Sequence, residues 1–351
     1  MVNTLRSRVE ATGAQLVFAL PRPVRRLIAG RAIRLDGQVL SLDAQLLLRL
    51  QNFAGVSMSK KTPELARRML ARSQHLVSGA PAGPVTKHEL TIPDENGGIP
   101  ATLYTPRGLP ENSGLLVFYH GGGWVIGTRE SHDTAARFFA KYAGVRVLSI
   151  EYRLAPENSF PAAVDDAVTA FEFAYAKAKD LGADPERIAV GGDSAGGNLA
   201  AVTAQVTTGR GGPAPAFQLL LYPGVDASVR RRSREIFGDG FFLTDADMTW
   251  FIDHYAPTGV DRTDPRMSPL LGKDFPGLPP AYIAVSGFDP LRDEGLAYGE
   301  KLRAAGVPVA VSLQSDLIHG YANFLGIGHR FREAMSEAAG ALRMGLSGIR
   351  R

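Results

Sequence analysis

This 351-residue chain predicts an α/β fold, with a mostly parallel central sheet of about eight strands and helices on both faces. Three observations carry that prediction. Short, almost wholly apolar runs recur along the chain, as strands covered on both faces should. Helical segments separate several of them. The runs end in glycine-rich or polar turns, and reactive groups gather at the carboxyl ends of the strands in sheets of this kind.

The first 80 or so residues stand apart from that alternation. Leu42, Leu46, Leu50 and Phe53 recur at helical spacing, Leu47 widens the stripe, and Ser41 is placed to cap it. A second helix is expected from Thr62-Pro63-Glu64, with Thr62 as cap and Pro63 at the first helical position. Ser78 to Pro84 reads as a linker. Paired strands follow at His88 to Ile92 and Ala101 to Tyr104, around the turn Asp94 to Gly98. Further strands are expected at Gly114 to Tyr119, Arg146 to Ile150, Arg187 to Gly191, Phe217 to Tyr222, Ala281 to Ser286 and Val309 to Leu313. Helices are expected at Asp133 to Tyr142, Pro161 to Lys179, Ala195 to Thr208, Asp293 to Ala305 and His329 to Met344. Between Tyr222 and Leu278 no central strand is legible, and Phe241, Phe242, Trp250, Phe251 and Tyr255 cluster there. That stretch reads as a helical insertion, which with the N-terminal helices could cover the strand ends as a cap or form an extra layer on the core.

Composition narrows the chemistry. Hydrophobic residues make up 45% and charged residues 21%, as in an ordinary globular enzyme. There is no cysteine, which excludes disulfides, a thiolate nucleophile and Cys-ligated metal. The net charge of +4 is mild. The run Arg230-Arg231-Arg232-Ser233-Arg234 carries no interleaved aromatics, so it reads as a solvated loop face and nucleic acid is not expected as a partner. No stretch approaches the roughly 18 apolar residues of a membrane span. Leu16 to Leu20 is too short for a secretory leader. Pro21 and Pro23 follow it, and Glu10 interrupts the basic flank of Arg6 and Arg8. A cytoplasmic protein is the default expectation.

Four strand ends supply chemistry. Gly192-Asp193-Ser194-Ala195-Gly196 follows an apolar strand and opens a helix, a sharp turn that lifts a serine hydroxyl clear of the chain. Alone, such a stretch could be a glycine-rich turn whose serine caps the helix. His120-Gly121-Gly122-Gly123-Trp124 offers backbone N–H groups that can converge on one anion. A phosphate loop is disfavoured there, because no Lys-Ser/Thr follows. Asp289 lies at a strand end and can orient a histidine, while Asp293 fits the N-cap of the next helix better. His319 alone among seven histidines follows the last strand in a loop. His132 lies near a helix start, His254 in the insertion, and His329 on an exposed helix start.

These stretches, with Tyr152 to Glu157 and His319-Gly320-Tyr321, resemble the hormone-sensitive-lipase family of α/β-hydrolases in its bacterial carboxylesterase branch. The likeness covers roughly residues 85 to 345. It implies an α/β-hydrolase fold with Ser194 as nucleophile, His319 as base then acid, and Asp289 as its orienting carboxylate. The order Ser, Asp, His is that of the α/β-hydrolase triad. It also implies an oxyanion hole from the N–H groups of Gly122, Gly123 and Ala195, with His120 bracing the loop and Trp124 lining the entrance. The expected enzyme is a serine carboxylesterase acting on small esters, of short to medium acyl chain, with no cofactor and no metal. Amide or formamide hydrolysis by the same machinery, or small-ligand binding without turnover, are the alternatives. Residues 1–84 would form an N-terminal helical cap, and 85–351 the catalytic domain with a cap insertion around 226–275. A homodimer is compatible with the sequence. Val24 to Ile28 and Arg31 to Leu35 mix basic and apolar residues as interfacial segments do, although cap packing is the preferred account over a membrane surface.

Overall fold

The computed structural model describes residues 13, 15–54, 58–273, 275 and 277–347. Arg6, Arg8, Glu10 and the side chain of Phe53 lie outside the described residues.

Each apolar run becomes a strand because burial on both faces rewards a short, continuous hydrophobic stretch. After a small hairpin, β1 (Arg34–Leu35) and β2 (Gln38–Val39), come β3 (Val85–Ile92), β4 (Ile99–Pro106), β5 (Ser113–Tyr119) and β6 (Arg146–Ile150). Then follow β7 (Ala183–Asp193), β8 (Phe217–Leu221), β9 (Ala281–Phe288) and β10 (Val309–Ile318). One eight-stranded sheet runs in the order β10-β9-β8-β7-β5-β6-β4-β3. It is parallel from β10 through β6, and β4 and β3 close one edge in antiparallel fashion. Strand periodicity divides the core. Leu115, Val117 and Tyr119 of β5 face one buried cluster, while Leu116 and Phe118 face the other.

Helices cover both faces. α5 (Ala162–Ala176), α6 (Ala195–Gly209) and α9 (Arg292–Ala304) supply apolar side chains to the first cluster. α4 (Asp133–Phe139) and α10 (Arg330–Leu346) supply the second. Among the described residues three more helices, α1 (Arg22–Ala29), α2 (Leu42–Ala54) and α3 (Pro63–Val77), precede the sheet. The insertion carries α7 (Arg232–Phe237) and α8 (Asp245–Tyr255). Ser41 and Thr62 cap as expected: Ser41 Oγ accepts from Ala44 N–H and Thr62 Oγ1 from Leu65 N–H, each at 3.3 Å.

Several expectations are corrected. Helix α9 starts at Arg292 with Leu291 at the N-cap, so Asp293 lies in the first turn and instead accepts from Ser233 N–H at 2.8 Å. The Asp133 helix gives way to a π-helical turn at Ala140–Gly144. Strand β10 runs on to Ile318, so the residues before His319 are strand and not loop. The arginine run is exposed at Arg230 and Arg232, as a solvated face should be, but it is paired, and from Arg232 on it is helix and not loop. Arg231 pairs with Asp226 at 2.9 Å, Arg232 with Asp36 at 2.7 Å, and Arg230 and Arg234 both with Asp245. Asp226 is a near neighbour in sequence, Asp245 opens α8, and Asp36 comes from the N-terminal hairpin, a partner that local sequence does not reveal. Among the described residues no helix is long and apolar enough to cross a membrane.

Candidate active site

Parallel register brings the reactive strand ends to one edge. Tyr119 pairs with Gly192, Asp193 with Leu221, and Ile318 with Phe288, so His120, Ser194, Asp289 and His319 each follow a strand at the same rim. The last pairing needs an irregularity. Ser286 pairs with Gln314, but Phe288 pairs with Ile318, so β10 spends two extra residues there. That bulge sets His319 opposite Asp289. It presses close on Gly287, where an added methyl would overlap the Ser315 carbonyl and the Gln38 side chain.

Ser194 occupies the turn from β7 into α6 with φ 55° and ψ −118°, a region that costs a non-glycine residue of order 1–3 kcal/mol. The strain is held by Ser194 N–H donating to Leu221 C=O at 2.8 Å. The flanking glycines have steric reasons. A methyl on Gly192 would overlap the Tyr119 carbonyl and Gly196, and one on Gly196 would overlap the carbonyls of Tyr119 and His120. His319 Nε2 lies 2.9 Å from Ser194 Oγ, and His319 Nδ1 lies 2.7 Å from Asp289 Oδ2. A carboxylate only accepts, so Nδ1 carries the proton and donates to it, leaving Nε2 to accept from the serine hydroxyl. Asp289 is fully buried, and its other oxygen accepts from Leu291 N–H at 2.8 Å. Asp293 does not meet the histidine.

The glycine loop is equally constrained. Gly122 and Gly123 have φ of 123° and 59°, so both sit where glycine is favoured. A methyl on Gly122 would strike the Ile126 carbonyl, and one on Gly123 would strike the ring of Phe251. Among the described residues the N–H groups of Gly122, Gly123 and Ala195 donate to no acceptor. That of Ala195 opens α6 and carries the positive end of its dipole. His120 is buried beneath the loop. Its Nδ1 is 2.9 Å from the Gly121 carbonyl, and Tyr152 stacks on its ring at 4.3 Å while donating to its carbonyl at 2.7 Å. Burial, with His132 nearby, holds the His120 imidazole down at about 4. Trp124 lines the cavity and stacks on Tyr255 at 4.4 Å.

A second buried carboxylate escaped the sequence reading. Asp193, the variable residue of the serine motif, accepts from Gly121 N–H at 2.9 Å and from the Tyr222 hydroxyl and Asn323 amide at 3.3 Å. His132 Nε2 also approaches it at 3.3 Å. Burial opposes its ionisation, yet His132 and the Gly121 N–H outweigh that and hold it below the usual carboxylate range. Asp193 thereby ties the serine turn to the glycine loop. Its partners lie 29 to 130 residues away, so no local pattern announced them.

A cavity of about 190 Å³ opens over Ser194 and His319. Gln51, Met58, Leu70 and Gln74 line it from the N-terminal region, and Phe242, Leu243, Met248, Phe251 and Ile252 from the insertion. The two are joined where Ser59 N–H donates to Asp247 at 2.9 Å. Glu294 is buried in the wall, accepts from Val225 N–H at 2.7 Å, and is pushed up to about 8 by burial. Among the described residues no three His, Asp or Glu side chains are grouped to hold a metal ion.

The comparisons agree with this architecture. Residues 116–323 match the α/β hydrolase fold family. The carboxylic ester hydrolase LipN of Mycobacterium tuberculosis is 43% identical, covering 97% of this chain and 94% of its own. The ethyl acetate hydrolase of Pseudomonas putida is 38% identical over 84% of this chain and 95% of its own. Among solved structures, an ester hydrolase from the metagenome of Lake Arreo superposes with a TM-score of 0.83 at 37% identity, covering 88% of this chain and 100% of its own. The hyperthermophilic esterase of Pyrobaculum calidifontis gives 0.82 at 36% identity, over 87% and 98%.

Proposed function

This chain belongs to the α/β-hydrolase family and is a carboxylic ester hydrolase, and on that premise we propose that it works as a serine carboxylesterase through an acyl-enzyme. One observation carries the reading: the unbroken relay from Ser194 Oγ through His319 to the buried Asp289, at 2.9 and 2.7 Å. Ser194 Oγ attacks the ester carbonyl carbon as its proton passes to His319 Nε2. The carbonyl oxygen becomes an anion, received by the N–H groups of Gly122, Gly123 and Ala195. The carbon–oxygen bond to the alcohol breaks, and the alcohol leaves with the proton from His319. Water then repeats the sequence on the acyl-serine and releases the acid. Asp289 stabilises the imidazolium in both halves.

We read residues 1–84 and the insertion around 226–275 as a cap on the catalytic domain. A cavity of about 190 Å³ lies below the usual several-hundred-Å³ range of ligand pockets, which favours short to medium acyl chains. A fluorophosphonate probe followed by peptide mass spectrometry tests the core of the proposal. Modification of Ser194 in the folded protein is expected. An unmodified Ser194 would return the scaffold to ligand binding without turnover.

A further inference from the structure

The N-terminal arm bears chemistry that ester hydrolysis does not use. Between residues 11 and 35 the sequence has five arginines and no acidic residue. The arm is two-faced. Phe18, Ile28 and Ala29 pack into the core. Arg25 reaches Asp43 at 2.6 Å and Arg26 reaches Gln45 at 3.1 Å, so both are spent on α2.

The other face is apolar and outward. Leu16 lies on a short helical segment at 15–19, Leu20 in the bend before Pro21, and Val24 and Leu27 three residues apart on α1, so the outward leucines and valine span both segments. They are 62%, 37%, 41% and 83% exposed. Cap packing accounts for the inner face and not for this one. Arg22, Arg31 and Arg34 are exposed alongside it and pair with no carboxylate among the described residues.

We propose that this arm docks the protein peripherally on an anionic lipid bilayer. Leucines flanked by unpaired arginines match the two layers of such a surface, acyl boundary and phosphate headgroups. Nucleic acid would answer the arginines and leave the leucines in water. A second copy of the chain would bury the leucines, but a two-fold contact sets the same arginines of both copies near one another. Arg25 and Arg26 of α1 hold the start of α2 at Asp43 and Gln45, and Gln51 farther along α2 lines the cavity, so one helix links the arm to the site.

Sedimentation of the full chain with phosphatidylcholine vesicles, with and without phosphatidylglycerol, tests this. Binding to the anionic vesicles alone is expected, weakening as salt rises. Combined Arg22→Gln, Arg31→Gln and Arg34→Gln should weaken it on the order of 100-fold, about fivefold per arginine. Leu16→Asp with Leu27→Asp should abolish it. Hydrolysis of a soluble short-chain ester should stay unchanged in both variants, which reports an intact fold. Wild-type protein left in the supernatant with anionic vesicles would overturn the proposal. So would unaltered binding by the variants. A wild-type dimer that binds no vesicles, and that Leu16→Asp with Leu27→Asp turns into a monomer, would assign this apolar face to self-association instead.

Discussion

At the strand ends, Gly192, Gly196 and Gly122 sit where one added methyl would overlap backbone carbonyls. Across the cavity, Leu243, Met248 and Phe251 belong to the insertion and border the same space with apolar side chains. Backbone against backbone cannot yield, because carbonyls fixed in a sheet have nowhere to move. A side chain at a cavity wall can be exchanged for another of similar size at modest cost. The platform that would perform the chemistry is therefore rigid, and the insertion wall, which on the proposed reading is a cap that chooses the ester, is adjustable.

Four changes would break or sharpen that contrast. The largest effect belongs to Ser194→Ala. Turnover of a nitrophenyl butyrate should fall on the order of 10⁶-fold with little change in melting temperature, since triad members act as a unit. Turnover within tenfold of wild type would remove Ser194 from the chemistry. Next comes Gly196→Ala, which should cost about 3 kcal/mol or more in urea unfolding, at the upper end of overpacking penalties. A loss below about 1 kcal/mol would mean that the platform yields as readily as the cap.

The third change is acid. His120 titrates at about 4 in the folded protein against about 6.5 unfolded. Between those values the unfolded chain binds more protons, so stability is lost as pH falls through the window. From pH 7 to 5 the loss assigned to His120 is about 2 kcal/mol. His120→Gln should be less stable at pH 7 yet lose less on acidification. If its loss between those pH values equalled that of the wild type, some other group would be responsible. The smallest effect is expected at the cap. Phe251→Ala removes the ring that rests on Gly123 and enlarges the cavity, so kcat/KM for octanoyl relative to butanoyl esters should rise about tenfold. An unchanged ratio would mean that chain length is read elsewhere.

Much of this molecule was legible locally. All eight strands of the sheet lie where apolar runs or, for the exposed edge strand β3, the turn Asp94 to Gly98 mark them, and Ser41 and Thr62 cap their helices, because periodicity and capping are properties of neighbouring residues. Asp289 was preferred to Asp293 because Asp293 was expected to cap the next helix, a role that falls to Leu291 instead. Less visible was how His319 reaches Asp289, since Ser315-Asp316 read as a loop after the strand, whereas they form a bulge within β10. Asp193 was passed over as the variable letter of its motif, although its carboxylate joins both loops of the site.

By itself, the sequence determined the alternation of strand and helix, the glycine-flanked serine and the order of Ser194, Asp289 and His319. These depend on spacing along the chain and on which residues tolerate a sharp turn. Only the tertiary structure decided which donor each carboxylate meets, as Asp36 with the guanidinium groups of Arg232 and Arg292, and Asp193 with the Gly121 N–H. It also decided that the outer face of the N-terminal arm stays in solvent. Those outcomes depend on surfaces brought together across tens to hundreds of residues, where each group finds the nearest partner that burial leaves available.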